Sequence, residues 1–313
     1  MASSLGQGAL ATVFGGSGFV GRHAVRELAH NGYRVRAAVR RPDLAGHLQP
    51  MGAVGQIHAI QANVRYPDSL QAAVAGADVA INLVAVLAST GRQTFDALHV
   101  KGARAVAKAA KEAGVGRFIH VSAIGADPKS ASKYARTNGL GDQAVLAEFP
   151  EAIILRPSIV FGPEDEFFNR FAAMAQTAPF LPLISGGRTK FQPIYVGDLA
   201  EAIFNVANGA GVPGTIYELG GPETLTFRQL LEQVRQWSGR KPGFINLPAP
   251  LAKLMAVLTK PLPNALRPLT ADQVRMLQID NVVSQAAIEE RRTLKELGVT
   301  NPQSAGVIVP SYL

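Results

Sequence analysis

The sequence ALATVFGGSGFVG, at residues 9–21, places an apolar run directly before a glycine-rich turn. The run Ala9–Phe14 is short, apolar and ended by glycine, which predicts a buried strand. Glycines at a strand-to-helix turn let the chain turn tightly and let its backbone approach a pyrophosphate, to which the helix N-terminus offers free N–H groups. The turn residues that we predict to contact a dinucleotide are Gly15, Ser17, Gly18, Phe19, Val20 and Gly21.

Apolar runs alternate with helix-length segments through the first half of the chain, which predicts βα units around a parallel sheet. The predicted strands are Ala9–Phe14, Arg34–Val39, Gln56–Gln61, Val79–Leu83, Arg117–Val121 and Ala152–Leu155. The predicted helices are Gly21–His30, Ser69–Val74, Phe95–Ala113 and Ser132–Phe149. We therefore predict an α/β fold with a doubly wound parallel sheet of the Rossmann type at residues 1–160. Frequent Pro and Gly predict a small irregular C-terminal annex at residues 161–313, which completes the sheet in part.

The composition excludes several classes of protein. The chain has 313 residues, of which 47% are hydrophobic and 17% charged, so it is not a disordered chain. No apolar segment is long enough to predict a transmembrane helix. Because there is no cysteine and the six histidines include no i,i+4 pair, we predict no disulfide and no metal site. The net charge of +8 favours anionic partners.

The end of the second predicted strand bears on the choice of cofactor. An NAD-type site places Asp or Glu there to bind the ribose hydroxyls, whereas arginine suits a 2′-phosphate. This strand ends Val39-Arg40-Arg41, which predicts NADPH or NADP, with Arg40 as the first candidate for the contact and Arg41 as the second. The alternative is that both arginines are merely solvated.

Residues 240–268, which we call the docking segment, concentrate positive charge. The stretch from Arg240 to Arg267 holds five basic residues and no acidic one. Within it, Leu251, Leu254, Met255 and Leu258 recur at helical spacing between prolines, which predicts a short amphipathic helix. Such a helix suits an anionic membrane surface or a partner subunit, and the alternative is a helix that covers the core of the annex. Aromatic residues are not interleaved with the basic ones, so nucleic acid is not a predicted partner.

The ordered motifs resemble those of the atypical or extended short-chain dehydrogenase/reductases. The resemblance covers residues 9–198, and it implies that Asn63-Val64 lies beside the adenine and that the loop after the fourth strand lies beside the cofactor. It also implies that Ser122 and the segment beginning Arg156-Pro157 border the site. The cofactor contacts that the resemblance adds are Asn63, Val64, Leu83, Val84, Ala85, Ser122, Tyr134, Asn138 and Pro157.

A narrower resemblance is to the NADPH-binding accessory subunits of respiratory complex I, the NADH:ubiquinone oxidoreductase. The segments that carry it are Ser132–Thr137, Phe149–Ala152, Arg156–Asp165, Asn169–Phe171 and Asp280–Val283. It implies an auxiliary protein that holds NADPH, binds other subunits of complex I and stabilises the junction of its peripheral and membrane arms. In a bacterium, the implied location is peripheral, at the cytoplasmic face of the inner membrane.

Asn138 decides what this site is expected to do. In active relatives, a tyrosine is the general acid or base, and a lysine four residues later lowers its pKa. Here Ser122 and Tyr134 are retained as a catalytic pair, but Asn138 replaces the lysine and carries no charge to stabilise phenolate. The neighbouring Lys133 points about 100° away around the helix. We therefore predict vestigial catalytic residues and binding without turnover.

Two alternatives to the accessory subunit stay open at this point. One is a free-standing NADPH-dependent reductase, epimerase or dehydratase that acts on a small carbonyl compound or a sugar nucleotide. Its features would be Ser122 and Tyr134, with Arg188 and Asp198 as substrate or structural contacts. The other is a redox-sensing regulator that binds NADPH and releases a partner.

Overall fold

The centre of the computed structural model is a seven-stranded parallel sheet, and the structure describes residues 8–258 and 270–313. Its strands are β1 (Leu10–Phe14), β2 (Arg34–Val39), β3 (Ile57–Gln61), β4 (Val79–Asn82), β5 (Arg117–Val121), β6 (Ile153–Pro157) and β11 (Ile216–Leu219). Their order across the sheet is β11-β6-β5-β4-β1-β2-β3. The strand order reverses between β1 and β4, and ligands of doubly wound folds bind at such a point. The predicted fold class is confirmed.

Helices cover both faces of this sheet because its strands are apolar on both sides. On one face lie α1 (Phe19–His30) and α6 (Val196–Ala207), and on the other lie α2 (Pro67–Val74), α3 (Ala103–Glu112) and α4 (Lys133–Glu148). Each face has its own buried apolar core. Both α6 and β11 come from residues after 160, so the predicted annex contributes a helix and an edge strand to the central layers.

The predicted helix Phe95–Ala113 differs from the structure in its winding. Residues Asp96–Gly102 form a π-helix that continues into α3. A π-helix has a wider turn than an α-helix and is frequent at functional sites. Here it presents His99 towards the start of α4 and the loop after β4.

The remainder of the annex consists of short strands and helices around a third apolar core rich in phenylalanine. Its strands are β7 (Val160–Phe161), β8 (Phe180–Ile184), β9 (Lys190–Phe191), β10 (Ile194–Tyr195), β12 (Leu225–Thr226) and β13 (Gly243–Leu247). Its helices are α5 (Phe168–Thr177), α7 (Phe227–Trp237), α8 (Ala249–Leu258), α9 (Ala271–Met276), α10 (Gln285–Glu289) and α11 (Ala305–Ile308). Asp198 on α6, named above as a substrate or structural contact, is 5% exposed and accepts a hydrogen bond from the Gln303 backbone.

Helix α8 is the helix predicted within the docking segment. Leu251, Leu254 and Met255 are 47%, 55% and 42% exposed, whereas Ala252 is 3% exposed and packs inward. These three residues of the predicted apolar face are therefore about half exposed, while Ala252 packs with Val274 in a small apolar core. Residues 259–268 of the docking segment lie outside the described residues. Within the described ranges, no helix is both long and apolar enough to span a bilayer.

Candidate nucleotide-binding site

The glycine turn joins β1 to α1 in a conformation that only glycine tolerates. Gly15 has a φ of +81°, and a Cβ on Gly21 would lie 2.1 Å from the Gly15 carbonyl oxygen. Helix α1 therefore starts unusually close to the strand. Its N-cap, Gly18, supplies no side-chain hydrogen bond, so the first N–H groups of α1 are not satisfied by a cap. A phosphate is the ligand that such a helix start favours.

Two adjoining clefts open above this turn. The smaller encloses about 210 Å³ and the larger about 690 Å³. The predicted cofactor residues that line the smaller cleft are Gly15, Ser17, Gly18, Arg40, Asn63, Val64, Leu83, Val84 and Ala85. Those that line the larger cleft are Gly15, Gly18, Phe19, Val20, Gly21, Leu83 and Ala85. The shared glycines and the loop after β4 make the two clefts one continuous groove along the ends of β1 and β4.

The smaller cleft brings the predicted adenosine residues together with cationic side chains. Arg40 is exposed at the end of β2 and lines the cleft, whereas Arg41 lines neither of the two described clefts and pairs with Asp43 at 2.8 Å. Arg65, which the sequence analysis did not single out, also lines it, and its backbone N–H donates to Asn63 Oδ1 at 3.2 Å. Of the two predicted arginines, Arg40 is therefore the one that lines a described cleft.

The loop after β4 is held by a buried histidine that the sequence analysis also missed. Nε2 of His99 accepts a hydrogen bond from the Val86 backbone at 3.1 Å, and Nδ1 lies 3.2 Å from Thr137 Oγ1 on α4. Burial, reinforced by repulsion from His120, lowers the pKa of His99 to about 4, so the ring is neutral. Because Nε2 is the acceptor, the proton sits on Nδ1 and is donated to Thr137. His99 therefore ties the cofactor loop to α4.

A second buried network lies under the same loop. Asn82 Oδ1 accepts from the Val84 backbone at 3.2 Å, and its Nδ2 donates to His120 Nδ1 at 3.1 Å. His120 Nε2 is 3.7 Å from Asp142 Oδ1, and Arg156 binds the other oxygen of Asp142 at 2.7 and 2.9 Å. Burial lowers the pKa of His120 to about 4.

Asp142 is 2% exposed, and burial raises the pKa of its carboxyl while the Arg156 guanidinium opposes the rise. This buried ion pair fixes α4 to β6. A histidine within the apolar strand β5 was the available sequence signal for the network.

The predicted catalytic residues and their surroundings, which we call the Tyr134 end of the site, lie outside both clefts. Ser122, Tyr134, Asn138 and Pro157 line neither of the two clefts found among the described residues. Ser122 is 8% exposed, and its Oγ lies beside Asp142 without a hydrogen bond of good geometry to any described residue. The Nδ2 of Asn138 donates to the backbone carbonyl of Tyr134 at 3.0 Å. One N–H of that amide is therefore bonded within its own helix.

Tyr134 is packed by aromatic neighbours. Its ring meets those of Phe95 and His99 edge to face, with centroids 6.0 and 5.5 Å apart. Burial raises the pKa of the Tyr134 phenol, and the neighbouring Asn138 amide acts in the opposite direction. A phenol with a raised pKa is a poorer proton shuttle near neutrality than a free one.

The start of α4 carries one more contact that the sequence analysis missed. Asp272 on α9 accepts hydrogen bonds from Ser132 Oγ, the Lys133 backbone and the Tyr134 backbone, at 2.9, 2.8 and 2.9 Å. Helix α9 thus covers the end of the helix that holds Tyr134. Thr270 and Gln273, close to Asp272 in the sequence, line the larger cleft, as do Glu166 and Arg170.

Comparison with known proteins identifies the family. Residues 15–152 match a family described as NAD(P)H-binding. Over 297 residues, the chain is 38% identical to subunit 9 of the alpha subcomplex of mitochondrial NADH dehydrogenase [ubiquinone] 1 from Arabidopsis thaliana, covering 90% of this chain and 73% of that protein. The chain belongs to this subunit 9 family. The resemblance drawn from its motifs is confirmed.

Enzymes occur among the similar proteins as well. A protein of Caulobacter vibrioides named ceramide reductase is 32% identical over 240 residues, covering 76% of this chain and 73% of that protein. Among solved structures, the NADPH-dependent quinone oxidoreductase QOR2 of Escherichia coli, complexed with NADPH, superposes with a TM-score of 0.73 at 22% identity, covering 96% of this chain and 99% of that chain. At that identity, the superposition shows the shared fold.

Proposed function

We propose that this chain is an accessory subunit of respiratory complex I that holds NADPH without turning it over and stabilises the junction of the peripheral and membrane arms. The observation that carries the proposal is its membership of the subunit 9 family over most of its length. The glycine turn and the continuous groove supply the means of holding the nucleotide. Bound nucleotide stabilises only the folded state, which gives it a structural role without chemistry.

The cationic wall of the smaller cleft supports NADPH rather than NADH as the ligand. Arg40, at the end of β2, lines this cleft, and Arg65 is a second arginine that lines it. A guanidinium pairs with phosphate through charge-assisted hydrogen bonds, which NADH cannot make at that position. Ser17 and the start of α1 would hold the pyrophosphate.

Three features of the Tyr134 end support binding without turnover. Asn138 stands where active relatives have lysine, and its uncharged amide donates a hydrogen bond to the Tyr134 backbone carbonyl. The Tyr134 ring is packed by Phe95 and His99. Helix α9 packs on the start of α4, where Asp272 accepts hydrogen bonds from the backbone N–H groups of Lys133 and Tyr134.

The docking segment supports a peripheral position beside a membrane. The exposed apolar side of α8 lies in a stretch with basic residues and no acidic ones. We propose that this part of the annex, residues 161–313, contacts other complex I subunits and the anionic membrane surface. In a bacterium, that surface is the cytoplasmic face of the inner membrane. A reductase is the second candidate, because Ser122 and Tyr134 are retained and a relative at 32% identity is named ceramide reductase.

One experiment on the purified full chain separates the two candidates. Native mass spectrometry reports whether a dinucleotide travels with the protein, and absorbance at 340 nm reports whether NADPH is consumed with carbonyl compounds, including a 3-keto lipid. The accessory-subunit proposal expects retained NADPH and no consumption above the rate in buffer. Steady consumption with any of the carbonyl compounds overturns it and favours the reductase.

A further inference from the structure

Helix α9 touches three parts of the molecule that the proposed function treats separately. Its N-cap Thr270 and its residue Gln273 line the larger cleft beside the glycine turn. Asp272 binds the start of α4. Val274 is 1% exposed and packs with Ala252 of α8 in a small apolar core. The short helix α9 therefore contacts the groove, helix α4, which holds Tyr134, and helix α8, which we call the docking helix.

The hydrogen bonds of Asp272 hold α9 to the start of α4. A carboxylate at a helix N-terminus satisfies free N–H groups and is favoured by the helix dipole. Asp272 reaches two backbone N–H groups and the Ser132 hydroxyl at the start of α4, although it lies 138 residues further along the chain than Tyr134. Its side chain is only 15% exposed, so these hydrogen bonds are shielded from water.

The residues of α9 that line the larger cleft and the residue that binds α4 belong to the same turn of α9. Thr270 and Gln273 form a capping box, in which the Thr270 backbone donates to Gln273 Oε1 at 2.9 Å and the Gln273 backbone donates to Thr270 Oγ1 at 3.2 Å. Asp272 lies between them. A ligand that contacts this wall therefore stabilises the turn that carries Asp272.

We propose that α9 couples nucleotide occupancy of the larger cleft to the position of α8, with Asp272 as the positioning residue. The inference rests on the proposed function, because it takes the groove as the place of bound NADPH and α8 as the docking helix. We call the arrangement in which Asp272 binds the start of α4 the clamped arrangement. A nucleotide that binds this arrangement more tightly than the unclamped one increases its population. Because α8 packs on α9 through Ala252, the docking surface is then held in one geometry only when nucleotide is bound. Loss of nucleotide would release the surface from its partner.

Hydrogen exchange of the full chain tests the coupling directly. Exchange in peptides covering residues 243–258 is compared with and without saturating NADPH, and nicotinamide fluorescence measures binding in parallel. In the wild type, NADPH is expected to slow exchange in these peptides on the order of tenfold, within the usual range of coupling between two sites. In Asp272→Ala, this protection is expected to be lost, and NADPH is expected to bind on the order of tenfold more weakly, because the coupling between the two sites is reciprocal.

Matched variants keep the test decisive. Asp272→Asn removes the charge but keeps one acceptor oxygen, so an intermediate protection is expected, and it replaces Asp272→Ala if that variant does not fold. Asp68→Asn removes an acid from the first turn of α2, which lines neither described cleft, and is expected to behave as the wild type.

The possible results separate the two proposals. If NADPH binds but leaves exchange at residues 243–258 unchanged, or if Asp272→Ala keeps full protection, the coupling is overturned and the proposed function stands. If NADPH does not bind the wild type, the nucleotide part of the proposed function fails, and the coupling fails with it.

Discussion

The glycine-turn end and the Tyr134 end of the site differ in what fills the space beside them. At the first end, backbone and small side chains leave a groove whose two parts enclose about 210 and 690 Å³. At the second end, Phe95, His99 and α9 pack around the start of α4. Holding a nucleotide requires space and N–H donors, whereas turnover requires access to a phenol of suitable pKa. The chain supplies the first set of conditions, and we propose that it has lost the second.

The largest effect on stability and NADPH binding is expected from a substitution in the glycine turn. Gly21→Ala places a Cβ 2.1 Å from the Gly15 carbonyl oxygen, so β1 and α1 must separate. We expect a loss of about 3 kcal/mol in the free energy of unfolding, because backbone atoms cannot give way cheaply. NADPH binding is expected to disappear. Urea denaturation and nicotinamide fluorescence measure the two effects.

Gly46→Ala is the control for this change. A Cβ there meets no atom of the described chain within 4 Å, so stability should change by less than about 1 kcal/mol. If Gly21→Ala retained both stability and NADPH binding, the glycine turn would not be the place of the nucleotide.

The next prediction concerns the pH dependence of stability that arises from His99 and His120. The pKa values of His99 and His120 are lowered from 6.5 to about 4, so the unfolded chain binds protons more readily than the folded one between those limits. Stability from these groups is therefore complete above pH 6.5 and falls as the pH drops towards 4, by at most about 3 kcal/mol for each.

Asp198 opposes this trend, because its pKa is raised from 3.8 to about 6 and its contribution to stability grows as the pH falls through the same range. The net slope is therefore smaller than the two histidines alone would give. Urea denaturation between pH 7 and pH 4.5 measures it. His99→Gln is expected to flatten the slope, and an unchanged slope in that variant would contradict a neutral, buried His99.

Substitution of Arg40 should change the preference of the site for NADPH over NADH. Arg40→Ala is expected to weaken NADPH binding by roughly tenfold to a hundredfold, the value of a hydrogen bond to a charged group, while NADH binding stays the same. Arg41→Ala is the matched control, because Arg41 pairs with Asp43 outside both described clefts. Isothermal titration with each nucleotide measures the four affinities. Equal losses in both variants would show that no particular arginine reads the 2′-phosphate.

The smallest effect is expected at the Tyr134 end. Asn138→Lys restores the lysine of active relatives, but the packed Tyr134 ring and α9 remain in place. We therefore expect NADPH consumption with carbonyl compounds to stay at the rate in buffer. Thermal unfolding must accompany the assay, since Asn138 is 5% exposed and a buried lysine costs stability. A folded variant that gains turnover would show that the missing charge alone had silenced the site.

The sequence predicted the groove end better than the Tyr134 end for a physical reason. Strands buried on both faces are apolar runs, and a glycine turn depends on local backbone geometry, so both are visible in adjacent residues. Six of the seven central strands were predicted within two residues of their bounds, and the missed strand, β11, is a short edge strand. The motifs also sufficed to indicate the family.

The features that escaped prediction depend on contacts between distant parts of the chain. Asp272 reaches the Tyr134 backbone across 138 residues, and Asn82 reaches His120 across 38. No local periodicity marks such pairs. The π-helical winding at Asp96–Gly102 escaped for a different reason, because its sequence, DALHVKG, runs without a break into the alanine-rich α3, and the two were predicted as one helix.

The central claim is that this chain works as a nucleotide-holding part of a larger complex, and one measurement tests it most directly. Membranes from cells that produce the protein are solubilised mildly, separated by native electrophoresis and analysed by mass spectrometry along the gel. The account predicts that the chain migrates with the subunits of NADH dehydrogenase and that NADPH is released from that band. Migration of the chain solely as an unassociated protein would contradict the account.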